Sequence, residues 1–189
     1  MLDVAVIIVS WNVRDCLAEC LSSVYAEFRH SGLTGDVWVV DNGSTDGTLE
    51  LLANLFPNTH VIANQKNVGF AAANNQGMAA AAASLPRFYF LLNPDTVVRP
   101  GAMREMVQVL DSCPKTGMVG PRLVYRDGRL QDSAFAFPGV IQLLFELWPL
   151  PRRLYDTRFN GRYSRRAFRP DGPPFAVDHP LGAAMMVRR

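Results

Sequence analysis

The chain has 189 residues, 49% of them hydrophobic, and a formal net charge of +2. That content supports one substantial core and excludes a disordered chain, so a single domain is the default expectation. A charge so close to neutral gives no electrostatic case for nucleic acid, and the apolar runs fall short of the roughly 20 residues a membrane-spanning helix needs.

Strand and helix patterns alternate along the chain. An apolar run predicts a strand over 4–10, followed by a helix over about 13–27. A strand at 36–41 leads into a helix over about 46–56, with Thr45 and Asp46 as N-cap candidates and Pro57 after its end. A strand at 59–63 precedes a helix over about 69–83, whose alanines suit a helix by propensity and leave little bulk between it and a sheet. A strand at 87–92, a helix over about 100–112 with Pro100 in its first turn, and a strand near 117–120 follow. Short apolar strands alternating with helices predict an α/β fold, a mostly parallel sheet with helices on both faces. Beyond about residue 125 the character changes to an aromatic-rich segment and then an Arg/Pro/Gly-rich stretch, expected to be a mobile loop over about 150–175. The run 181–187 reads as one more strand. The division expected is an α/β unit over 1–125 and a second portion over 126–189 of one domain, which the resemblance given below makes the nucleotide-binding and the acceptor-side portions.

Cys16, Cys20 and Cys113 form neither a zinc spacing nor a disulfide framework, which suits a reducing cytosolic compartment. The first residues lack a basic segment and read as a strand, so no secretory signal is expected. Of 19 basic side chains only Lys66 and Lys115 are lysines. Arginines gather at Arg152, Arg153, Arg162, Arg165, Arg166 and Arg169, either as a solvated loop or as a contact for a phosphorylated acceptor or an anionic membrane surface.

Three strand ends carry polar residues: Ser10-Trp11-Asn12 after the first strand, Asp41 through Thr48 after the second, and Asn93-Pro94-Asp95 after the fourth. Ligands of open α/β sheets bind beyond the carboxyl ends of the strands. The Asp95 carboxylate stands where it could hold a Mg²⁺ or Mn²⁺ ion against a diphosphate, although Asn-Pro-Asp is also an ordinary turn. Asp41 could accept the ring N–H of a uracil or thymine, or cap a turn. Trp11 could stack on the base or fill the core. Gly69 could admit a nucleotide close to the backbone or accommodate a turn.

These segments, Ile7-Ile8-Val9-Ser10-Trp11-Asn12, Asp41 to Thr48, Asn67-Val68-Gly69-Phe70 and Asn93-Pro94-Asp95 in this order, resemble a family 2 glycosyltransferase of the GT-A fold, most of all the rhamnosyltransferase-like branch, over nearly the whole chain. The resemblance implies an inverting, divalent-cation-dependent transferase. It would move a sugar, rhamnose or a similar one, from a UDP- or dTDP-linked donor to a glycan or lipid-linked acceptor in cell-surface polysaccharide synthesis. Its place would be the cytoplasm, either free there or in peripheral association with the inner membrane surface. It implies nucleotide contacts by Ser10, Trp11, Asn12, Asp41, Gly69 and Asn93, and a metal at Asp95. The family's commoner motif has a second Asp where Asn93 stands; Asn93 can donate to a phosphate or ribose hydroxyl but is a weaker cation ligand. Gly182-Ala183 fits a Gly-Ala motif on the acceptor side. The family's Glu-Asp pair, whose Asp serves as base, would lie beyond Arg189, which points to a truncated piece of a longer transferase with weak activity or none. Asp178 and His179 are weak substitutes for that base. The competing reading is a binding module that holds a nucleotide without chemistry. A dinucleotide-dependent oxidoreductase is disfavoured, since the first strand does not open into Gly-x-Gly-x-x-Gly.

Overall fold

The structure, a computed structural model, describes residues 2–137, 139–140, 147, 161–164, 167–169 and 172–189. These divide into two compact units, Met1–Val119 with Gly182–Arg189, and Gly120–Leu181.

In the first unit, in chain order, are β1 (Val4–Ser10), α1 (Arg14–Ser31), β2 (Gly35–Asp41), α2 (Thr48–Leu55), β3 (His60–Ala63), α3 (Phe70–Ala81, continued by a 3₁₀ turn Ala82–Ser84), β4 (Phe88–Leu92), α4 (Ala102–Ser112) and β5 (Met118–Val119). In the second unit are β6 (Ala134–Phe135) and β7 (His179–Pro180), and β8 (Ala184–Arg188) returns to the first. The main sheet has the order β3-β2-β1-β4-β8-β5. β1 pairs in parallel with β2 and β4, and β2 with β3. β8 runs antiparallel between β4 and β5. The mostly parallel α/β sheet expected from the alternation is therefore present, with one antiparallel strand inserted.

Every residue of β1 is buried, so both faces of the sheet are covered and the strand shows no apolar/polar alternation. On one face Ala5, Ile7, Tyr89 and Leu91 pack with Ala81 and Met78 of α3, and Val9 and Val40 pack with Ala73. The helix lies very near the sheet at Gly77, where a Cβ would fall 2.5 Å from Ile7 Cγ2 and 3.2 Å from Val40 Cγ2. α1 buries Leu17, Cys20, Leu21, Val24 and Glu27 along one stripe, and α4 buries Met103, Met106, Val107 and Leu110. Among the described residues no helix is long and apolar enough to cross a membrane.

Three boundaries differ from expectation for local reasons. α1 continues to Ser31, because its stop is the left-handed Gly32 (φ 70°), whose N–H donates to Phe28 O at 3.2 Å. α2 begins at Thr48 after Gly47, so Asp46 lies one residue before the N-cap position. α4 begins at Ala102 after Gly101 (φ 87°), which leaves Pro100 outside the helix. The last strand is shifted to Ala184–Arg188, and the one expected near 117–120 is reduced to Met118–Val119.

In the second unit β6 pairs antiparallel with β7, and Phe135 bridges to Arg162. Much of the expected loop (150–160, 165–166, 170–171) lies outside the described residues, as do Arg152, Arg153, Arg165 and Arg166. The described part has apolar anchors that composition concealed, for Phe168 is buried and meets Phe175 edge-to-face at 5.3 Å. Arg162 forms an ion pair with Asp132 and lies over the Phe135 ring.

Candidate active site

The strand order places a topological switch at β1: the chain proceeds from β1 to β2 and β3 on one side, then crosses to β4 on the other. Such a crevice, at the carboxyl ends of the two strands flanking the switch, is where α/β sheets bind ligands. Ser10 and Asp41 are register partners at that edge, and Ile8 pairs with Leu92 one step before the Asn93-Pro94-Asp95 turn.

Ser10 is fully buried and its Oγ has no hydrogen-bond partner among the described residues. Trp11 is 54% exposed, so the core-filling alternative for it fails. Asn12 occupies the left-handed region (φ 52°), which Asn tolerates better than most side chains. Its Oδ1 accepts the Thr45 N–H at 2.8 Å while its own N–H donates to Ser44 Oγ at 2.9 Å. Asn12 thereby clasps the end of β1 to the loop after β2.

Asp41 is almost wholly buried. It accepts the Ser44 N–H at 2.9 Å and the Ser44 hydroxyl at 2.5 Å. Two of a carboxylate's roughly four acceptor positions are thus engaged in the turn. Asp46 holds two helix starts together: it accepts from Arg14 N at 3.0 Å and from Thr48 N and Oγ1 at 3.2 and 2.6 Å. Burial opposes ionisation of Asp46, but the hydrogen bonds from Thr48 and Arg14 outweigh it and hold the carboxyl below its ordinary range.

An amide network escaped sequence reasoning. Asn42, buried, donates to Asn67 Oδ1 at 3.3 Å and accepts from Asn64 at 3.0 Å, and Asn64 donates to Gln76 Oε1 at 2.9 Å. Asn67 Oδ1 also accepts the Gly69 N–H at 2.9 Å. Gly69 is in a positive-φ conformation (φ 87°, ψ 160°) with open space where a Cβ would stand. The clustering of Asn and Gln just after β3 was the available signal.

Asp95 is exposed, and no described residue gives its carboxylate a hydrogen bond or an ion pair. The turn that carries it is fixed from several sides. Asn93 N donates to Ala183 O at 2.8 Å, and Asn93 O accepts from Thr96 Oγ1 at 2.6 Å and from the Cys20 thiol at 3.7 Å. The antiparallel β4–β8 pairing therefore brings Gly182-Ala183 to Asn93. Burial pushes the Cys20 thiol up to about 12. Asp178 and His179 belong to the second unit. There Asp178 Oδ2 accepts the Phe137 N–H at 2.8 Å, and the His179 ring lies 5.7 Å from Phe135 and 5.8 Å from Phe137.

Among the described residues no three His, Cys, Asp or Glu side chains converge as a metal cage. The donor set around Asp95 is one open carboxylate beside a side-chain amide. That fits a Mg²⁺ or Mn²⁺ shared with a diphosphate, since such ions take one or two carboxylates and substrate phosphates and seldom a dedicated cage.

The sequence model of glycosyl transferase family 2 matches residues 5–175. The chain belongs to glycosyl transferase family 2. Similar proteins include an N-acetylglucosaminyl-diphospho-decaprenol L-rhamnosyltransferase of Mycobacterium tuberculosis, 28% identical over 81% of this chain and 52% of the relative. Another is the succinoglycan biosynthesis protein ExoO of Rhizobium meliloti, 32% identical over 58% of this chain and 30% of that protein. The family 2 chain thus spans about half the length, or less, of these relatives. Its fold is similar to the mannosyltransferase PcManGT of Pyrobaculum calidifontis in complex with GDP-Man and Mn²⁺, with TM-score 0.55, 23% identity, and 67% of this chain and 38% of that one covered. It is also similar to S. aureus TarS in complex with UDP-GlcNAc, with TM-score 0.54, 20% identity, and 70% and 39% covered. These likenesses place the domain in the GT-A class of glycosyltransferase folds.

Proposed function

We propose that this family 2 domain binds a nucleotide-diphosphate sugar together with Mg²⁺ or Mn²⁺. It would transfer the sugar, with inversion, to a glycan or lipid-linked acceptor in cell-surface polysaccharide synthesis. The observation that carries the reading is the exposed Asp95 carboxylate, which no described residue hydrogen-bonds or ion-pairs, held at the carboxyl end of β4 beside the β1/β4 switch. Asp95 would bind the cation, and Asn93 would donate to a phosphate or ribose hydroxyl. When bound, the cation supplies Lewis-acid stabilisation of the charge on the departing diphosphate.

Asp41 would receive the base N–H with its remaining lone pairs, and the exposed Trp11 face would stack on the ring. The orphaned Ser10 Oγ supports a ligand at this edge, because a buried hydroxyl without a partner is costly to leave empty-handed. Asn12 would keep the base-side loops in place, and Gly69 would admit the nucleotide backbone-close. Gly182 and Ala183 would face the acceptor. The name of the mycobacterial relative supports rhamnose as the sugar and a diphospho-decaprenol-linked N-acetylglucosamine as the class of acceptor, and such a lipid-linked acceptor would bring the domain to the inner membrane surface. Asp178 and His179 are weak candidates for the base, since each is already engaged within the second unit.

Calorimetric titration of UDP, dTDP and GDP into the chain, with and without Mn²⁺, tests this reading. Cation-dependent binding of a pyrimidine diphosphate, abolished in Asp95→Ala, is expected. Failure of all three nucleotides to bind would overturn it.

A further inference from the structure

Between β4 and α4 the chain runs from Asn93 to Gly101 without regular structure, yet it is pinned at intervals by a single helix about 75 residues earlier in sequence. The Cys20 thiol donates to Asn93 O at 3.7 Å. Ser23 Oγ accepts the Val98 N–H at 2.9 Å while donating to Cys20 O at 2.6 Å. The Glu27 carboxylate, 2% exposed, accepts from Gly101 N at 2.7 Å and from Met103 N at 3.2 Å. Positions 20, 23 and 27 are spaced i, i+3, i+7 and lie on one face of α1. The pins at Asn93 and Val98 bracket Asp95, whose carboxylate receives no hydrogen bond or ion pair from any described residue. The carboxylate is thus located by backbone bonds to α1 on either side of it.

We infer that α1 is the positioning element of the donor site, with Cys20, Ser23 and Glu27 as positioning residues that fix the loop after β4 and so set where Asp95 meets a cation–diphosphate. This rests on the donor-site reading given above. Ser23 is the informative member. Glu27 also caps α4 and Cys20 is buried in the core, so changes there mix positioning with stability. The Ser23 hydroxyl joins one backbone N–H to one helical carbonyl and is only partly buried. A site whose charged group must stand within a fraction of an ångström gains from such support, because the ordering entropy is spent on folding and not on binding.

The test compares Ser23→Ala, Ser23→Thr and Asp95→Ala, alone and with Ser23→Ala added to Asp95→Ala. The readouts are Mn²⁺-dependent and Mn²⁺-independent affinity for UDP, dTDP and GDP, and amide exchange at Val98. Expected for Ser23→Ala is Val98 exchange faster by about tenfold or more, from loss of its acceptor. The Mn²⁺-dependent gain in affinity should shrink roughly three- to tenfold, the scale of one net hydrogen bond, with metal-free affinity unchanged. Thr keeps a hydroxyl able to bond the preceding helical turn and should restore both. In the Asp95→Ala background Ser23→Ala should have no further effect on affinity, since the two residues act as one unit. Wild-type affinity that depends on Mn²⁺ but is the same in Ser23→Ala would overturn the positioning role alone. Wild-type affinity for every nucleotide indifferent to Mn²⁺ would overturn the donor-site reading, and the positioning role with it.

Discussion

Replacing Gly77 by Ala sets two well-measured effects against each other. In an exposed helix interior the change should stabilise by about 1 kcal/mol, because Gly loses more backbone entropy than Ala on helix formation. Here the new Cβ would stand 2.5 Å from Ile7 Cγ2 and 3.2 Å from Val40 Cγ2, where carbon atoms at optimal separation lie about 3.5–4.0 Å apart. Ile7 is fully buried on the central strand, and its β-branch restricts the rotamers that could yield. Relief therefore requires moving α3 off the sheet by about an ångström, which belongs at the upper end of the roughly 1–3 kcal/mol that overpacking costs. Subtracting the propensity gain leaves a net loss of about 2 kcal/mol, a fall in Tm of about 4–8 °C for a chain of this size. Urea unfolding followed by far-UV circular dichroism, with the slope checked for constancy, measures it. Ile7→Leu removes the clashing branch at a cost below about 1.5 kcal/mol. In that background Gly77→Ala should cost clearly less than in the unaltered chain, the 3.2 Å approach to Val40 Cγ2 being what remains. A stabilising Gly77→Ala in the unaltered chain would refute the close helix–sheet approach.

Asp46 is depressed below its ordinary 3.8, so its contribution to stability is present above that value and is lost as pH falls through the lower folded value. Asp46→Asn should flatten the acid limb of a stability–pH curve below about pH 4 and leave its neutral-pH shape unchanged. Cys16 and Cys113 are exposed and Cys20 is buried; at pH 8 a disulfide reagent should modify the first two in the native protein and reach Cys20 only on unfolding. Trp11→Ala should leave the unfolding midpoint within about 0.5 kcal/mol of wild type. In calorimetry it should weaken nucleotide binding by about 1–3 kcal/mol, the scale of one base–aromatic stack.

The parallel strands and the helices between them were legible because each is a short apolar run closed by polar or turn residues, and the strand ends carrying Ser10, Asp41 and Asp95 were legible as one edge for the same reason. What escaped depends on partners remote in sequence. Glu27 reads as an ordinary helical surface residue, and only the fold shows that it is buried as the cap of α4, 74 residues on from it at Gly101. That exchange also explains the misplaced start of α4: Pro100 is a good first-turn residue, but the N-cap was supplied by another helix and Gly101 made the turn. Asp46 does bond the first turn of α2 through Thr48, although Gly47 and not Asp46 takes the N-cap position, and its second bond, to Arg14 at the head of α1, requires β1 and β2 to be neighbours. The register that brings Ala183 to Asn93 could not be read, since nothing local announces that the last strand inserts antiparallel between two earlier ones.

That insertion sets an order of events during synthesis. Once residue 92 has emerged, β3, β2, β1 and β4 can pair with one another, but β4 still presents its outer row of N–H and C=O groups. That edge is satisfied only when 184–188 arrive to lie against it and to join β5. Until then the nascent chain carries a bare, wholly apolar sheet edge, Phe-Tyr-Phe-Leu-Leu, of the kind that recruits other chains. The strand that brings Ala183 to Asn93 is therefore also the one that covers the β4 edge, and the Asp95 turn gains its bond to Ala183 at the same moment.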